Sequence, residues 1–202
     1  SHTASALSWR PAQPVPGTLI TLRVTGDSAG TMWGRVADEP VMFWRDTGNT
    51  FVALAAVPLD VSTVHVRIAG RDTAIGVTAP PPEVVASAAK PEKLHVAAEF
   101  SQPPTTSTTR RIEGESELAR AVGLIALATP PLWRKPFIKP RASRITSGFA
   151  SGRKFNGTLT SRHTGTDFRG KVGDTVRATN RGVVALVADF YLAGTVVYIV
   201  HG

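Results

Sequence analysis

The fold of this chain is constrained most strongly by a series of short runs in which apolar and polar residues alternate. Turn-forming residues separate the runs. In residues 19–25 every second residue is apolar, and Gly26-Asp27 follows as a turn. A period of two is typical of a strand with one buried face. Similar short runs follow at residues 32–36, 41–44, 51–57, 64–68 and 73–77. Many short strands at close spacing predict a small antiparallel β-sandwich.

This first domain is expected to contribute packing and no chemistry. Its aromatic residues Trp33, Phe43 and Trp44 are predicted to fill the core, whereas His65 falls on the outward face of its strand. Three consecutive prolines at residues 80–82 end the run of strands, because proline cannot pair in a sheet and favours an extended linker. Residues 93–97 offer one more short strand, and the domain is placed at residues 1–98.

Residues 99–132 are predicted to be a loop and a connector helix. The polar stretch 101–110 contains two prolines and is typical of a loop. Three glutamates then fall in the first turns of a helical pattern at 113–128, where the helix dipole favours negative charge. An apolar stripe that includes Leu118, Val122 and Ile125 is expected to pack the two domains together. Pro130-Pro131 ends the helix.

The remaining residues, 133–202, predict a second domain that is rich in strands. Val-dense runs lie at 182–188 and 195–200, with Gly and Asp or Asn at the turns. The chain as a whole is therefore predicted to be mainly β: an N-terminal sandwich, a linker helix and a partial antiparallel sheet.

Within this second domain, His163 and Asp167 are four residues apart. That spacing places both side chains on the same face of an extended or helical backbone. The intervening Thr164-Gly165-Thr166 favours extended chain. A neutral imidazole and a carboxylate that point the same way are suitable ligands for zinc.

The net charge of +8 and the pI of about 10.6 predict an affinity for polyanions. A protein that binds single-stranded nucleic acid needs aromatic residues among its basic ones, on which the bases stack, and this chain lacks that pattern. It also lacks the sequence motif of a helix-turn-helix, a zinc finger or an RNA-binding domain. Nucleic-acid binding is therefore not expected. No run of apolar residues is long enough to predict a transmembrane segment. The absence of cysteine excludes disulfides and thiolate metal sites.

Five sequence elements of residues 146–202 resemble the lysostaphin/LytM-type zinc endopeptidases of bacterial cell walls. In order, they are TSGFASGR, FNG, RHTGTDF, VGDTVRATNRGVV and TVVYIVHG. The order of five elements over roughly 60 residues is far more specific than one His–Asp pair. The preceding all-β region resembles, more loosely, the N-terminal domain that some of these enzymes carry.

The resemblance implies that His163 and Asp167 are two of three zinc ligands. The family's third ligand and its catalytic histidines belong to motifs that would lie beyond Gly202, so the catalytic residues are unknown here and residues 1–202 alone are expected to be inactive. Arg153 and Asn156, in the loop before the pair, are expected to shape that loop or to line the substrate groove. His201 matches a structural position of the family and is not expected to be a ligand.

Three explanations of the missing motifs are open: a second polypeptide carries them after a nick, the sequence stops early because the remainder is disordered, deleted or recorded separately, or the protein is a true fragment. The first two are favoured, because the Val-rich strand at 195–200 would otherwise leave an open edge. The leading functional hypothesis is zinc-dependent hydrolysis of peptide crosslinks in peptidoglycan, which implies a periplasmic or extracellular location. The alternative is a non-catalytic module of the same fold that binds or regulates cell-wall hydrolases.

Overall fold

The computed structural model describes residues 6–26, 32–82, 85, 90–100, 102–157 and 159–202. The chain divides into two compact units, Ser1–Ala89 and Lys90–Gly202. The described residues are mainly β, with one long helix, which confirms the predicted fold class.

Seven antiparallel strands build the first unit. They are β1 (Ala6–Arg10), β2 (Leu19–Thr25), β3 (Met32–Val36), β4 (Glu39–Arg45), β5 (Thr50–Ala56), β6 (Thr63–Ile68) and β7 (Arg71–Gly76). They form one sheet in the order β1-β2-β5-β4-β3-β6-β7. The strand β1 was not predicted, although Leu7 and Trp9 alternate with the more exposed Ala6, Ser8 and Arg10.

The strand β4 lets this single sheet enclose a core. Its first five residues pair with β3, whereas Trp44 and Arg45 pair with Val52 and Phe51 of β5. The change of partner joins the two halves of the sheet, and inward-facing side chains from both halves form one cluster. Phe43 and Phe51 lie at its centre with no exposed surface.

The structure corrects one core prediction. Phe43 is buried and Trp44 is half-buried, but Trp33 is 49% exposed. Alternation along β3 buries Val36 and turns Trp33 to the other face. His65 lies on the exposed face of β6, as expected, and its Nδ1 is 2.9 Å from Asp72 Oδ1.

The described residues of the second unit form one α-helix and seven strands. Its elements are β8 (Glu92–Leu94), a 3₁₀ turn (Ala98–Phe100), α1 (Thr106–Ala128), β9 (Ile145–Ser147), β10 (Gly152–Phe155), β11 (Leu159–Arg162), β12 (Asp167–Phe168), β13 (Val183–Phe190) and β14 (Gly194–Val200). The strands form three small sheets: β11-β10-β8, β12-β9 and β13-β14. The predicted strands at 182–188 and 195–200 correspond to β13 and β14.

The helix α1 begins seven residues before the predicted start. Thr105 caps it, since its side chain accepts a hydrogen bond from the amide of Thr108. The stretch predicted as a loop therefore supplies the first turn. Of the apolar stripe only Val122 is buried, whereas Leu118 and Ile125 are exposed. No helix among the described residues has the length and hydropathy needed to cross a bilayer.

We predict that Gly34→Ala destabilises the first unit. A Cβ at this position would lie 2.9 Å from the carbonyl oxygen of Arg67 and 3.1 Å from the ring of Phe43, both in the packed interior. Such overpacking costs about 1–3 kcal/mol. Amide hydrogen exchange of β2 and β5 should therefore accelerate.

Gly76→Ala is the matched control, because nothing lies within 4 Å of its added Cβ. Protection in the control should be unchanged or slightly higher, since alanine restricts the unfolded chain. Equal exchange rates in the two variants would contradict the packing described for β3.

Candidate functional site

His163 is the buried polar residue around which the candidate site is built. It directly follows β11 and its exposed fraction is only 8%. Two backbone hydrogen bonds hold it: its amide donates to the carbonyl of Ser151 at 2.8 Å, and its carbonyl accepts from the amide of Ala150 at 2.7 Å. The imidazole is thus fixed by the pairing of its own backbone with the loop that precedes β10.

The Nδ1 atom of His163 faces a carbonyl oxygen, which sets the tautomer of the ring. It lies 3.1 Å from the oxygen of Gly148, which can only accept, and 3.2 Å from Ser147 Oγ. Nδ1 therefore carries the proton and donates it to Gly148. In the neutral ring this leaves a lone pair on Nε2, the atom that can bind a cation.

Asp167 meets that nitrogen from a neighbouring sheet. It begins β12, which pairs with β9, and Ser147 is its partner in the register. Its Oδ1 lies 3.3 Å from His163 Nε2. The two side chains therefore point toward each other, and the atoms that meet are Nε2 and Oδ1. Whether they bind a metal stays a prediction.

Arg153 holds the other oxygen of the same carboxylate. Its Nη2 donates to Asp167 Oδ2 and, at 3.3 Å, to Ser147 Oγ. The side chain is largely buried. Because Oδ2 is engaged by the guanidinium, Oδ1 is the oxygen that remains for an ion beside Nε2.

Glu92 is a member of the site that sequence reasoning missed. It lies on β8, which pairs in parallel with β10 and places Glu92 opposite Arg153. Its Oε2 accepts a hydrogen bond from Ser147 Oγ at 3.1 Å and lies 3.8 Å from Arg153 Nε. Since 55 residues separate Glu92 from Ser147, no local spacing could have indicated this contact.

Asn156 lies in the turn directly after β10 and does not contact the His–Asp pair in the structure. Its side-chain amide donates to the carbonyl of Val96 and accepts from the amide of Val96, both at 3.0 Å. Its φ of 48° is in the left-handed region, which Asn tolerates better than most residues. These contacts fasten the turn after β10 to residues 94–96. A role in the substrate groove stays a prediction.

The separation of Nε2 and Oδ1 is compatible with a shared zinc ion and equally with an imidazolium–carboxylate pair. Zinc binds imidazole nitrogen at about 2.0–2.1 Å and carboxylate oxygen at about 2.0–2.2 Å, so two donors on a tetrahedral ion are about 3.4 Å apart. The observed separation is 3.3 Å. Among the described residues, no group of three His, Cys, Asp or Glu side chains is arranged to hold a metal.

Comparison with known proteins identifies the fold. No protein-family model matches the chain, and neither does any curated protein. Among solved structures, the chain is similar to a protein named "putative peptidase M23" from Pseudomonas aeruginosa, with a TM-score of 0.53 and 22% sequence identity. The match covers 94% of this chain and 70% of that one. The chain therefore shares the fold of that protein.

We predict that Asn156→Ala frees Val96 from the turn. Both hydrogen bonds to Val96 are lost, at about 1 kcal/mol each, and alanine is strained at a positive φ. Hydrogen exchange at the Val96 amide should accelerate, and the second unit should unfold at a lower denaturant concentration.

Asn156→Gly is the control, because glycine keeps the left-handed backbone while losing the amide. It should expose the Val96 amide equally but lower stability less. If Val96 stays protected in both variants, the anchoring contact is wrong. If stability is unchanged and only substrate binding falls, Asn156 lines the groove instead.

Proposed function

We propose that this chain is part of a zinc-dependent endopeptidase of the lysostaphin/LytM kind, which hydrolyses peptide crosslinks in bacterial peptidoglycan. The observation that carries the proposal is the approach of Nε2 of His163 to Oδ1 of Asp167, at 3.3 Å. Two further observations support it. The five sequence elements occur in the family's order, and the chain shares its fold with a protein that is named as an M23 peptidase.

The metal hypothesis accounts for a contact that would be unfavourable for a neutral imidazole without a metal ion. With Nδ1–H donated to Gly148, a neutral ring presents a lone pair on Nε2 toward the charged oxygen of Asp167. Two acceptors that face each other repel unless a proton or a metal ion lies between them. An imidazolium–carboxylate pair is the competing explanation, and metal binding distinguishes the two.

Each residue of the site would then have a definite task. His163 and Asp167 would hold zinc through Nε2 and Oδ1. The Gly148 carbonyl orients the imidazole, and Arg153 orients the carboxylate; such outer partners tune the basicity of the ligands. When bound, zinc supplies a Lewis acid and a water molecule that loses its proton near neutral pH.

Residues 1–202 supply two donors in this proposal, and the resemblance assigns a third to a later HxH motif. We propose that further polypeptide, either a continuation of this chain or a second polypeptide, brings that donor and the catalytic histidines. Residues 1–202 alone would then be inactive. A peptidoglycan substrate places the complete protein in the periplasm or outside the cell.

We predict that His163→Ala in the complete protein abolishes both zinc binding and cleavage of purified peptidoglycan. The variant loses a direct ligand, so zinc affinity should fall by more than the roughly 10–100-fold cost of losing an outer partner. Metal content after dialysis and the release of muropeptides measure the two effects.

His95→Ala is the control, because His95 is exposed and also has an acid, Glu99, four residues on. The control should retain zinc and activity. Activity in the His163 variant would refute the proposal. If the unmodified complete protein binds zinc but does not cleave peptidoglycan, the result would support the non-catalytic module instead.

Arg153→Met should weaken zinc binding without removing a ligand. Loss of the guanidinium releases Asp167 Oδ2 and lets the carboxylate rotate, for an expected loss of about 10–100-fold in affinity. Isothermal titration with zinc gives the affinity, and Lys154→Met provides a neighbouring control of equal charge change. Equal affinities in both variants would show that Arg153 does not position the ligand.

A further inference from the structure

The positive charge of the chain is concentrated in the second unit. Residues 90–202 hold 17 of the 23 Lys and Arg residues but only 8 of the 15 Asp and Glu residues. The first unit is therefore close to neutral, although the whole chain carries a net charge of +8. The basic character is a property of one unit and not a dispersed feature of the surface.

Backbone hydrogen bonds bring the two most basic segments of that unit side by side. The amide of Arg169 donates to the carbonyl of Arg144 at 3.0 Å, and the amide of Arg177 donates to that of Pro140 at 2.9 Å. Further along, the amide of Ile138 donates to Thr179 at 2.9 Å. We name residues 134–144 and 169–181 together the basic ribbon.

The basic ribbon contains nine cationic side chains and one acid. Eight of the cations are exposed: Arg134, Lys135, Lys139, Arg144, Arg169, Lys171, Arg177 and Arg181. Arg144 and Arg169 are direct neighbours across the ribbon. Adjacent like charges repel each other, so an anionic partner would relieve a cost that the isolated unit bears.

The single acid of the basic ribbon is already engaged. Asp174 accepts from the Lys171 amide at 2.9 Å and from Arg141 Nη2 at 2.7 Å. The backbone bond from Lys171 and then the Arg141 guanidinium hold the pKa of Asp174 below its usual value. Asp174 thus offsets Arg141, the one half-buried cation, and leaves the exposed cations to other partners.

Apolar side chains are exposed on the same ribbon. Phe137 and Ile138 lie on one segment, and Val172 and Val176 on the other. Val172 is fully exposed in the loop between Lys171 and Asp174. A linear polyanion would account for the cations alone, whereas a lipid surface accounts for cations and exposed apolar side chains together.

We propose that the basic ribbon docks the protein on an anionic phospholipid surface. The cations attract the headgroups, and the fully exposed Val172 enters the boundary between headgroups and acyl chains. This proposal is independent of the peptidase function, because it uses none of the residues of the zinc site. It would hold the enzyme beside a membrane whatever its substrate.

Sedimentation with vesicles tests this proposal. The protein should bind vesicles of phosphatidylglycerol and phosphatidylcholine mixed in equal parts, should bind pure phosphatidylcholine poorly, and should be released by 0.5 M salt. Arg144→Glu with Arg169→Glu should weaken binding at least about thirty-fold, from roughly five-fold per cation. Val172→Ser, which leaves the charge unchanged, should weaken binding several-fold.

Arg10→Glu with Arg71→Glu is the matched control, because it reverses two exposed arginines of the first unit and changes the net charge equally. It should bind vesicles almost as the parent does.

The proposal is overturned if the control loses as much affinity as the ribbon variant, or if anionic vesicles are not bound at all. It is also overturned if duplex DNA competes fully with the vesicles while Val172→Ser has no effect. Circular dichroism confirms that each variant is folded, and His163→Ala should bind vesicles normally.

Discussion

The hydrogen bond from His163 Nδ1 to the carbonyl of Gly148 determines what the candidate site can do. In the neutral ring it assigns the proton to Nδ1, and the remaining nitrogen then faces Asp167 with a lone pair. The loop of residues 148–151 is therefore part of the site, although it contains no ligand.

Two small sheets, β11-β10-β8 and β12-β9, converge on this imidazole. The strand β9 supplies Ser147, β10 supplies Arg153, and β12 supplies Asp167, so both donors are held through backbone pairing. Glu92 adds a carboxylate from the far side of Arg153. Sites supported by strands in this way keep their geometry better than sites carried by a flexible loop alone.

Local patterns revealed the strands and the pair, but not what surrounds them. Alternation predicts the buried faces of β2 and β6 because a strand with one buried face repeats every two residues. The spacing of His163 and Asp167 suggested a common face of one strand, but the two residues meet from the ends of strands in different sheets. Glu92 and the Gly148 carbonyl could not be found in this way: one contact spans 55 residues, and the other uses a backbone atom that every residue has. The early start of α1 depends on one threonine hydroxyl at its cap, a signal that was hidden within a polar stretch.

The two units differ in charge, in core packing and in the residues of the candidate site. The first buries a continuous apolar core and is nearly neutral, whereas the second carries the excess positive charge, the His–Asp pair and exposed apolar residues.

Nitrogen-detected NMR of the His163 ring during a zinc titration tests the central claim most directly. Before zinc is added, at a pH where the ring is neutral, Nδ1 should carry the proton. When zinc is added, the resonance of Nε2 should move to a metal-bound position, and Nδ1 should stay protonated. A proton on Nε2 in the neutral ring, or two ring nitrogens that do not respond to saturating zinc in the complete protein, would contradict the account.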